Sequence, residues 1–245
     1  MPLSALRASV SVLIPAAGRG ERFGGSLPKQ FTPVCGQPLL RWTLRRFLDA
    51  GLTSIAVAVP LDLLTEAPAR ILDSPHVKWV SGGGSRQASV EACLTATPGG
   101  DHDLVIVHDG ARPLVTTEDL NRVVEAAAEG DGAVLGRMVS DTLKEVEAGV
   151  IVRTIPRSRL FRAETPQVFR RAVLEQALAR SREEGFVGTD ESSIVERLPG
   201  ARVRALEAVG PNPKLTVAAD LPLIETLLSR TSASAAMSKS GEQGR

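Results

Sequence analysis

The sequence predicts an α/β protein in which helices cover both faces of a mostly parallel sheet, giving three layers. Two observations carry this prediction. Short runs rich in β-branched residues alternate with longer segments of helical periodicity along most of the chain, a pattern typical of parallel strands joined by helices. The run Leu104–Val107 is apolar at every position, as expected of a strand that is buried on both faces.

The elements follow from this alternation. Strands are predicted at the short β-branched runs, namely Val10–Ile14, Ile55–Val59, Val77–Val80, Leu104–Val107, Ala133–Leu135, Val150–Ile155 and Val203–Leu206. Helices are predicted at the longer periodic segments, namely Pro38–Ala50, Arg86–Ala96, Thr117–Ala128, Arg171–Glu184, Glu191–Leu198 and Ala219–Leu228. The first and fourth strands run into unusual loops, and ligands of such folds bind beyond the carboxyl ends of the strands.

One segment interrupts the alternation. Residues 140–156 are typical of a β-hairpin arm that turns near Glu147-Ala148-Gly149. A lone hairpin is only marginally stable in water, so we expect the arm to pack on something else. Residues 1–229 are predicted to form a single domain, and the polar, Ser/Ala/Gly-rich tail 230–245 is predicted to be disordered.

Composition narrows the function classes. The 245 residues are 43% hydrophobic and 23% charged, which suits a globular protein with a sizeable core. A net charge of +1 provides no bulk basic surface, so no nucleic-acid partner is expected. No segment has the length and hydropathy of a membrane span or a signal peptide. The isolated Cys35 and Cys93 form no metal or dithiol motif and suit a reducing compartment, so we expect a cytoplasmic protein with no membrane partner.

The most informative segment is the glycine-rich loop Pro15–Gln30. Its glycines, which include Gly18 and Gly20, let the backbone approach a ligand and expose N–H groups. Arg22 and Lys29 add positive charge to the same loop, so it is predicted to cradle a triphosphate. The loop lacks the GxxxxGK[ST] string of a P-loop and misses the dinucleotide fingerprint GxGxxG by one residue.

Further motifs follow in order along the chain. They are Ser89-Val90, His108-Asp109-x-Ala111-Arg112-Pro113, Asp141-Thr142-x-Lys144, Thr165-Pro166-Gln167, Thr189-Asp190-Glu191 and Asn212-x-Lys214-x-Thr216. With the loop opening Pro-Ala-Ala-Gly-x-Gly-x-Arg and the later Pro-Lys-Gln, the series resembles the sugar-phosphate nucleotidyltransferases. Most specifically, it resembles the 2-C-methyl-D-erythritol 4-phosphate cytidylyltransferases of the non-mevalonate isoprenoid pathway. The resemblance extends from about Val10 to Leu221. It implies a Rossmann-like sheet of the nucleotide-diphospho-sugar transferase type.

The implied reaction transfers CMP from CTP to a polyol phosphate and releases pyrophosphate. The nucleophile is a phosphate monoester, whose second pKa is about 6, so it is ionised without a general base. Catalysis should therefore rest on positioning and charge neutralisation. The resemblance assigns that role to Arg22 and Lys29. Asp109 follows a buried strand and is a candidate ligand for Mg²⁺, or alternatively a turn aspartate that bonds nearby backbone.

The resemblance also implies two sets of binding residues. The nucleotide-binding set is Ala16, Ala17, Gly18, Gly20, Gly83 and Ser89. The acceptor-binding set is Asp109, Arg112, Thr142, Arg157, Thr165 and Lys214. At Gly84 the chain departs from some relatives, which often carry an acidic residue there, so backbone groups are expected to read more of the cytosine. In the family the arm crosses to a second subunit, which implies a homodimer in which Arg157 and Thr165 complete the partner's site.

Alternatives remain at three points. A sibling enzyme for ribitol 5-phosphate would share Arg22 and Lys29, but the Pro15-Ala16-Ala17 opening favours the methylerythritol phosphate acceptor. A non-catalytic nucleotide-binding module would be expected to lose its phosphate-contacting cations, which this chain retains. The Thr189-Asp190-Glu191 segment is interpreted first as a helix start and alternatively as a means of ordering a loop near the acceptor.

Overall fold

The computed structural model describes residues 9–18, 23, 28–100 and 103–242, with side chains described to residue 231. Its strands are β1 Val10–Pro15, β2 Pro33–Val34, β3 Gln37–Pro38, β4 Ser54–Val59, β5 Val77–Ser81, β6 Leu104–Val107, β7 Gly132–Met138, β8 Leu143–Glu147, β9 Val150–Ile155, β10 Phe161–Arg170 and β11 Val203–Glu207. Its helices are α1 Leu39–Asp49, α2 Ala67–Arg70, α3 Arg86–Ala96, α4 Thr117–Ala128, α5 Arg171–Glu183, α6 Glu191–Val195 and α7 Leu221–Glu242.

A seven-stranded sheet runs through the described part of the chain in the order β5-β4-β1-β6-β10-β7-β11. The pairs β5–β4, β4–β1, β1–β6 and β7–β11 are parallel, whereas β10 is antiparallel to both β6 and β7. The predicted α/β class and mostly parallel sheet are confirmed. The parallel order brings the carboxyl ends of β1, β4, β5 and β6 to one edge, where a ligand site is expected.

The core lies on both faces of this sheet, because successive side chains of a strand point in opposite directions. On one face Ile14 and Ile106 belong to an apolar cluster with Phe47 of α1. On the other face Leu13 and Val107 belong to a second cluster, with residues of α3, α5 and α6. Apolar burial therefore fixes the helices on both sides and confirms the three layers.

The antiparallel strand β10 was not predicted. Its pairing with β7 shifts register between Ala163 and Gln167, so Glu164, Thr165 and Pro166 form an irregularity. Proline cannot donate to a strand ladder and is tolerated at such bulges, which also redirect neighbouring side chains. The sequence pattern did not predict this strand, because polar residues and a proline interrupt the apolar run that is the main signal of a buried strand.

The predicted hairpin arm is confirmed as β8 and β9. The strands are joined by Ala148 and Gly149, which have φ values of 47° and 83°. A two-residue turn with positive φ at both positions matches the right-handed twist of a hairpin. The arm leaves large apolar side chains in solvent, with Val150 at 68% and Ile151 at 61% exposure.

The last helix extends further than predicted. Helix α7 continues to Glu242, whereas the sequence analysis expected a disordered tail from about residue 230. Alanines at 233, 235 and 236 favour helix more strongly than the overall Ser/Ala composition suggested. Of the helices in the described ranges, none combines the length and hydropathy required to cross a bilayer.

Candidate nucleotide-binding cleft

A cleft of about 400 Å³ opens at the carboxyl ends of β1, β5 and β6. The loops that follow these strands line it, together with the segments around Lys29 and Lys214. Among the residues predicted for the site, the structure brings the following to the cleft wall: Ala16, Ala17, Gly18, Lys29, Gly83, Ser89, Asp109 and Lys214. The location agrees with the rule that ligands bind where parallel strands end.

The turn after β1 is held by main-chain and side-chain hydrogen bonds. The Ala16 N–H donates to the Ala58 carbonyl over 2.8 Å, which continues the pairing of β1 with β4. Buried Gln30 donates its side-chain amide to the Ala16 carbonyl and, over 3.2 Å, to that of Gly18. Sequence analysis assigned no role to Gln30, although it lies inside the glycine-rich loop. The predicted residues Gly20 and Arg22 lie outside the described residues.

Lys29 begins a short 3₁₀ segment, Lys29–Phe31, that returns the glycine-rich loop to the body of the protein. Its ammonium group donates to the Leu215 carbonyl over 3.1 Å. Lys214 directly precedes Leu215, and its ammonium group forms an ion pair with Asp109 over 2.9 Å. The segment Lys214-Leu215 therefore contributes one cation to the cleft and binds a second, Lys29.

The second glycine loop is packed too tightly for side chains. A Cβ at Gly82 would lie 2.1 Å from the Ala17 Cβ, and a Cβ at Gly83 would lie 2.4 Å from the Ala88 Cβ. Real Cβ atoms do not approach so closely, so only glycine lets this loop lie against the turn after β1. A Cβ at Gly84, by contrast, would meet no atom within 4 Å.

Ser85 and Ser89 fasten this loop to α3. Ser85 is the N-cap of α3, and its hydroxyl accepts the Ala88 N–H over 3.0 Å. The buried Ser89 hydroxyl accepts the Gly83 N–H over 3.2 Å and donates to the Ser85 carbonyl over 3.0 Å. Ser89 thus lines the cleft and also fixes the shape of the loop.

Asp109 is the centre of a charge cluster beyond β6. Its carboxylate lies 2.9 Å from Lys214 Nζ, 3.3 Å from Arg112 Nε and 3.4 Å from Arg86 Nη2. Burial alone would raise the pKa of this carboxyl, but Lys214, Arg86 and Arg112 outweigh burial and hold the pKa well below its ordinary value. Asp109 is therefore an ionised carboxylate at the cleft wall.

Arg86 joins this cluster to a second buried carboxylate, on α6. Its Nη1 donates to both carboxylate oxygens of Glu191, over 2.6 and 2.7 Å, and Glu191 is only 1% exposed. Burial raises the pKa of Glu191, and the ion pair with Arg86 opposes that rise. Burial would lower the pKa of Arg86, but Glu191 and Asp109 raise it above its usual range. Sequence analysis assigned Arg86 no function and interpreted Glu191 as part of a helix start or of a segment that orders a loop near the acceptor.

The interpretation of Thr189-Asp190-Glu191 as a helix start is confirmed, and Asp190 is the N-cap of α6. The Asp190 carboxylate accepts the Ser193 N–H over 3.0 Å, and the Ser193 hydroxyl completes a capping box. Gln167 of β10 donates to Asp190 over 2.6 Å. Helix α6 is therefore anchored directly to the central sheet.

Thr165 and Asn212 fix the backbone next to Asp109. The Thr165 hydroxyl accepts the Asp109 N–H over 3.0 Å, and the Asn212 amide donates to the Thr165 carbonyl over 2.7 Å. Arg112 donates to the Asn212 carbonyl over 2.7 Å. The expectation that Thr165 completes a partner's site is wrong in this respect, because the bulge in β10 places its hydroxyl beside Asp109 of its own chain.

Thr142 and Arg157 are not brought to the cleft of their own chain. Thr142 precedes β8 and Arg157 follows β9, and both are exposed. Neither is among the residues that line the cleft. The structure therefore separates these two predicted residues from the other members of the acceptor-binding set.

His108 lies behind the cluster, and its imidazole ring is neutral at pH 7. Its ring is buried edge-on against Phe47, with centroids 5.1 Å apart, and its Nε2 lies 3.0 Å from the Arg112 carbonyl oxygen. Burial lowers the pKa of His108 to about 4. The residue is part of the packing beneath the site rather than a general acid or base.

A mostly parallel sheet, two glycine-rich turns and a lysine-rich rim over the strand ends together define an α/β nucleotide-binding transferase. The family model of 2-C-methyl-D-erythritol 4-phosphate cytidylyltransferase (IspD) matches residues 10–230. The chain belongs to this family, which confirms the resemblance found in its motifs.

Relatives agree in sequence and in structure. The protein of that name from Symbiobacterium thermophilum is 43% identical over 225 residues, covering 91% of this chain and 94% of the relative. The crystal structure of the Thermus thermophilus cytidylyltransferase has a TM-score of 0.75 at 37% identity and covers 89% of this chain and 98% of that one. The Francisella tularensis structure has a TM-score of 0.79 at 28% identity, with coverages of 89% and 99%.

Proposed function

We propose that this protein is a cytidylyltransferase that joins CTP to 2-C-methyl-D-erythritol 4-phosphate, giving 4-diphosphocytidyl-2-C-methyl-D-erythritol and pyrophosphate in non-mevalonate isoprenoid biosynthesis. The observation that carries the proposal is the cleft itself. The two glycine-rich turns, Lys29, Arg86, Asp109 and Lys214 line one cleft, and Arg112 pairs with Asp109 at its edge. A nucleotide and an acceptor phosphate can therefore be bound next to each other.

The chemistry requires positioning more than proton transfer. The attacking oxygen of a phosphate monoester is ionised at neutral pH, because the second pKa is about 6. The barrier lies in bringing two anions together and in the charge that gathers on the α-phosphate. Lys29 and Arg22 are the residues proposed to neutralise that charge, and the bond from Lys29 to the Leu215 carbonyl preorganises its ammonium group.

The base and ribose are proposed to bind between the two glycine turns, at Ala16, Ala17, Gly18, Gly20, Gly83 and Ser89. The cleft supports this assignment, because Ala16, Ala17 and Gly18 of one turn line it together with Gly83 and Ser89 of the other. Backbone N–H and carbonyl groups can then read the edge of cytosine without a side chain at Gly84.

The acceptor is proposed to bind at Asp109, Arg112, Thr142, Arg157, Thr165 and Lys214. Cations suit its phosphate, and an ionised carboxylate suits its hydroxyl groups. Since Thr142 and Arg157 lie on the arm, a homodimer with exchanged arms would complete the set. The exposed apolar side chains of β8 and β9, such as Val150 and Ile151, support burial of the arm against a second copy.

We also propose that the reaction uses Mg²⁺, which would offset the negative charge of the phosphates. No cluster of three or more acidic, histidine or cysteine side chains suited to a metal occurs within the described ranges. Any such ion is therefore proposed to be held mainly by the nucleotide and water, because Asp109, the protein ligand expected from the sequence, is already paired with Lys214, Arg112 and Arg86. Location in the cytoplasm is supported by Cys35 and Cys93, which are both free thiols.

The acceptor is tested by measuring pyrophosphate release from CTP with 2-C-methyl-D-erythritol 4-phosphate and with ribitol 5-phosphate. We expect a strong preference for the first acceptor. A preference for ribitol 5-phosphate would reverse the assignment, and binding of CTP without release in either case would indicate a nucleotide-binding module.

The role of Lys29 is tested by Lys29→Ala, with Lys78→Ala as the matched control because Lys78 is exposed on β5. Loss of a preorganised charge stabiliser should lower kcat by a factor of about 10²–10³ while CTP still binds. Near-normal kcat for Lys29→Ala would remove this residue from the proposed catalytic role.

A further inference from the structure

The two carboxylate oxygens of Asp109 differ in the number and length of their contacts with cations. Its Oδ2 lies 2.9 Å from Lys214 Nζ and 3.3 Å from Arg112 Nε, whereas its Oδ1 is met by Arg86 Nη2 at 3.4 Å. The contact with Arg86 is thus the longest of the three. A carboxylate oxygen with a single long contact keeps capacity to accept a hydrogen bond from a substrate hydroxyl.

Glu191 accounts for the length of that contact. It takes Nη1 of Arg86 with both carboxylate oxygens, at 2.6 and 2.7 Å, and so draws the guanidinium away from Asp109. A guanidinium released from Glu191 would be free to form the two parallel bonds that it prefers with a carboxylate, and Asp109 is the acceptor already in reach.

The position of Glu191 is fixed by rigid neighbours. It is the first residue of α6, and Asp190 before it accepts from Gln167 of β10 over 2.6 Å. Gln167 also accepts the Ser192 N–H over 3.0 Å and pairs with Val107, two residues before Asp109. Glu191 and Asp109 are therefore held relative to each other through the central sheet.

We propose that Glu191 is a positioning residue, which restrains Arg86 so that Asp109 keeps an oxygen for a hydroxyl of the polyol phosphate acceptor. The inference rests on the proposed function, since it assigns Asp109 to the acceptor. Glu191 itself does not touch substrate. It lies 105 residues from Arg86 along the chain and is buried beneath the cleft.

The test compares Glu191→Gln with Glu191→Asp in steady-state transfer, varying CTP and acceptor separately. Gln keeps the volume of the side chain but loses its charge, whereas Asp keeps the charge and loses a methylene. If charge restrains Arg86, Glu191→Gln should raise the KM for the acceptor by about 10-fold or more, the scale of a lost bond to a charged group. The KM for CTP should change by less than about twofold, and Glu191→Asp should be the milder variant.

A merely structural role gives the opposite order, because the smaller Asp leaves a cavity that Gln does not. It would also affect both substrates alike. Either result overturns the proposal. Should a single variant fold poorly, Arg86→Gln and the double variant Arg86→Gln with Glu191→Gln provide a second test. If Glu191 acts through Arg86, the double variant is no worse than Arg86→Gln alone, and additive losses contradict the inference.

The same assay separates this inference from the proposed function. A wild-type protein that transfers no cytidylyl group to the acceptor would refute the proposed function. A wild type that transfers it normally, combined with equal KM changes for both substrates in Glu191→Gln, would refute only the role of Glu191.

Discussion

Replacement of Asp109 by Asn tests the charge cluster most directly. At an effective dielectric constant of about 20, the attraction between two unit charges about 3 Å apart is on the order of 5 kcal/mol. The desolvation of each buried ion costs several kcal/mol and offsets part of this attraction. Removal of one partner from a buried set costs about 3–5 kcal/mol. In the variant, Arg86 still pairs with Glu191, and Arg112 still donates to the Asn212 carbonyl over 2.7 Å. We therefore expect the free energy of unfolding to fall by about 3 kcal/mol, near the lower end of this range.

The loss of unfolding free energy in Asp109→Asn should also depend on pH and become smaller in acid. The pKa of the Asp109 carboxyl is lowered in the folded state, so its contribution is complete above the ordinary carboxyl pKa of about 4. It is lost as the pH falls further, through the folded pKa. The difference in unfolding free energy between wild type and Asp109→Asn should therefore be constant between about pH 5 and 7 and narrow below about pH 4.

Urea unfolding, followed at a series of pH values, measures this difference through the midpoint and slope of each transition. Asp73→Asn, an exposed carboxylate in the loop before β5, is the control and should change stability by less than about 0.5 kcal/mol. A loss below about 1 kcal/mol at pH 7, or a difference that does not narrow in acid, would refute the reasoning.

Two further predictions concern packing around the cleft. Gly82→Ala should lower the free energy of unfolding by about 1–3 kcal/mol, because its Cβ would lie 2.1 Å from that of Ala17. Gly84→Ala has open space and should stay within about 0.5 kcal/mol in the same urea titration, so equal losses would contradict the packing argument. Burial raises the pKa of the Cys93 thiol to about 12, so native protein at pH 8 should show rapid reaction of exposed Cys35 alone with a thiol reagent. Two rapidly reacting thiols would show that Cys93 is accessible.

Local sequence patterns predicted most of the fold, because most strands and helices show the apolar periodicity typical of their class. The apolar run of β6 and the periodicity of α3 and α4 predicted these elements with the bounds that the structure has. Strand β10 carried no such signal. Its position between β6 and β7 depends on long-range pairing, and the polar residues around Pro166 face the Asp109 cluster rather than a uniform apolar layer.

The cleft was predicted at the right strand ends, because a glycine-rich loop with cations is visible in one continuous segment. The bond between Arg86 and Glu191 was not predictable in this way, since the partners lie 105 residues apart and either side chain alone is typical of an exposed helix start. Only the packing of α6 against β10 shows that this carboxylate is buried and needs a cation.

The second glycine loop has a consequence for inhibitor design. At Gly82 and Gly83 an added Cβ would collide with Ala17 and Ala88, so mutation cannot readily reshape the loop that brings Gly83 to the cleft wall. A compound that packs against this loop would leave few single-residue escape routes there. Resistance would have to arise instead at positions such as Gly84, where the protein itself leaves room for a larger side chain.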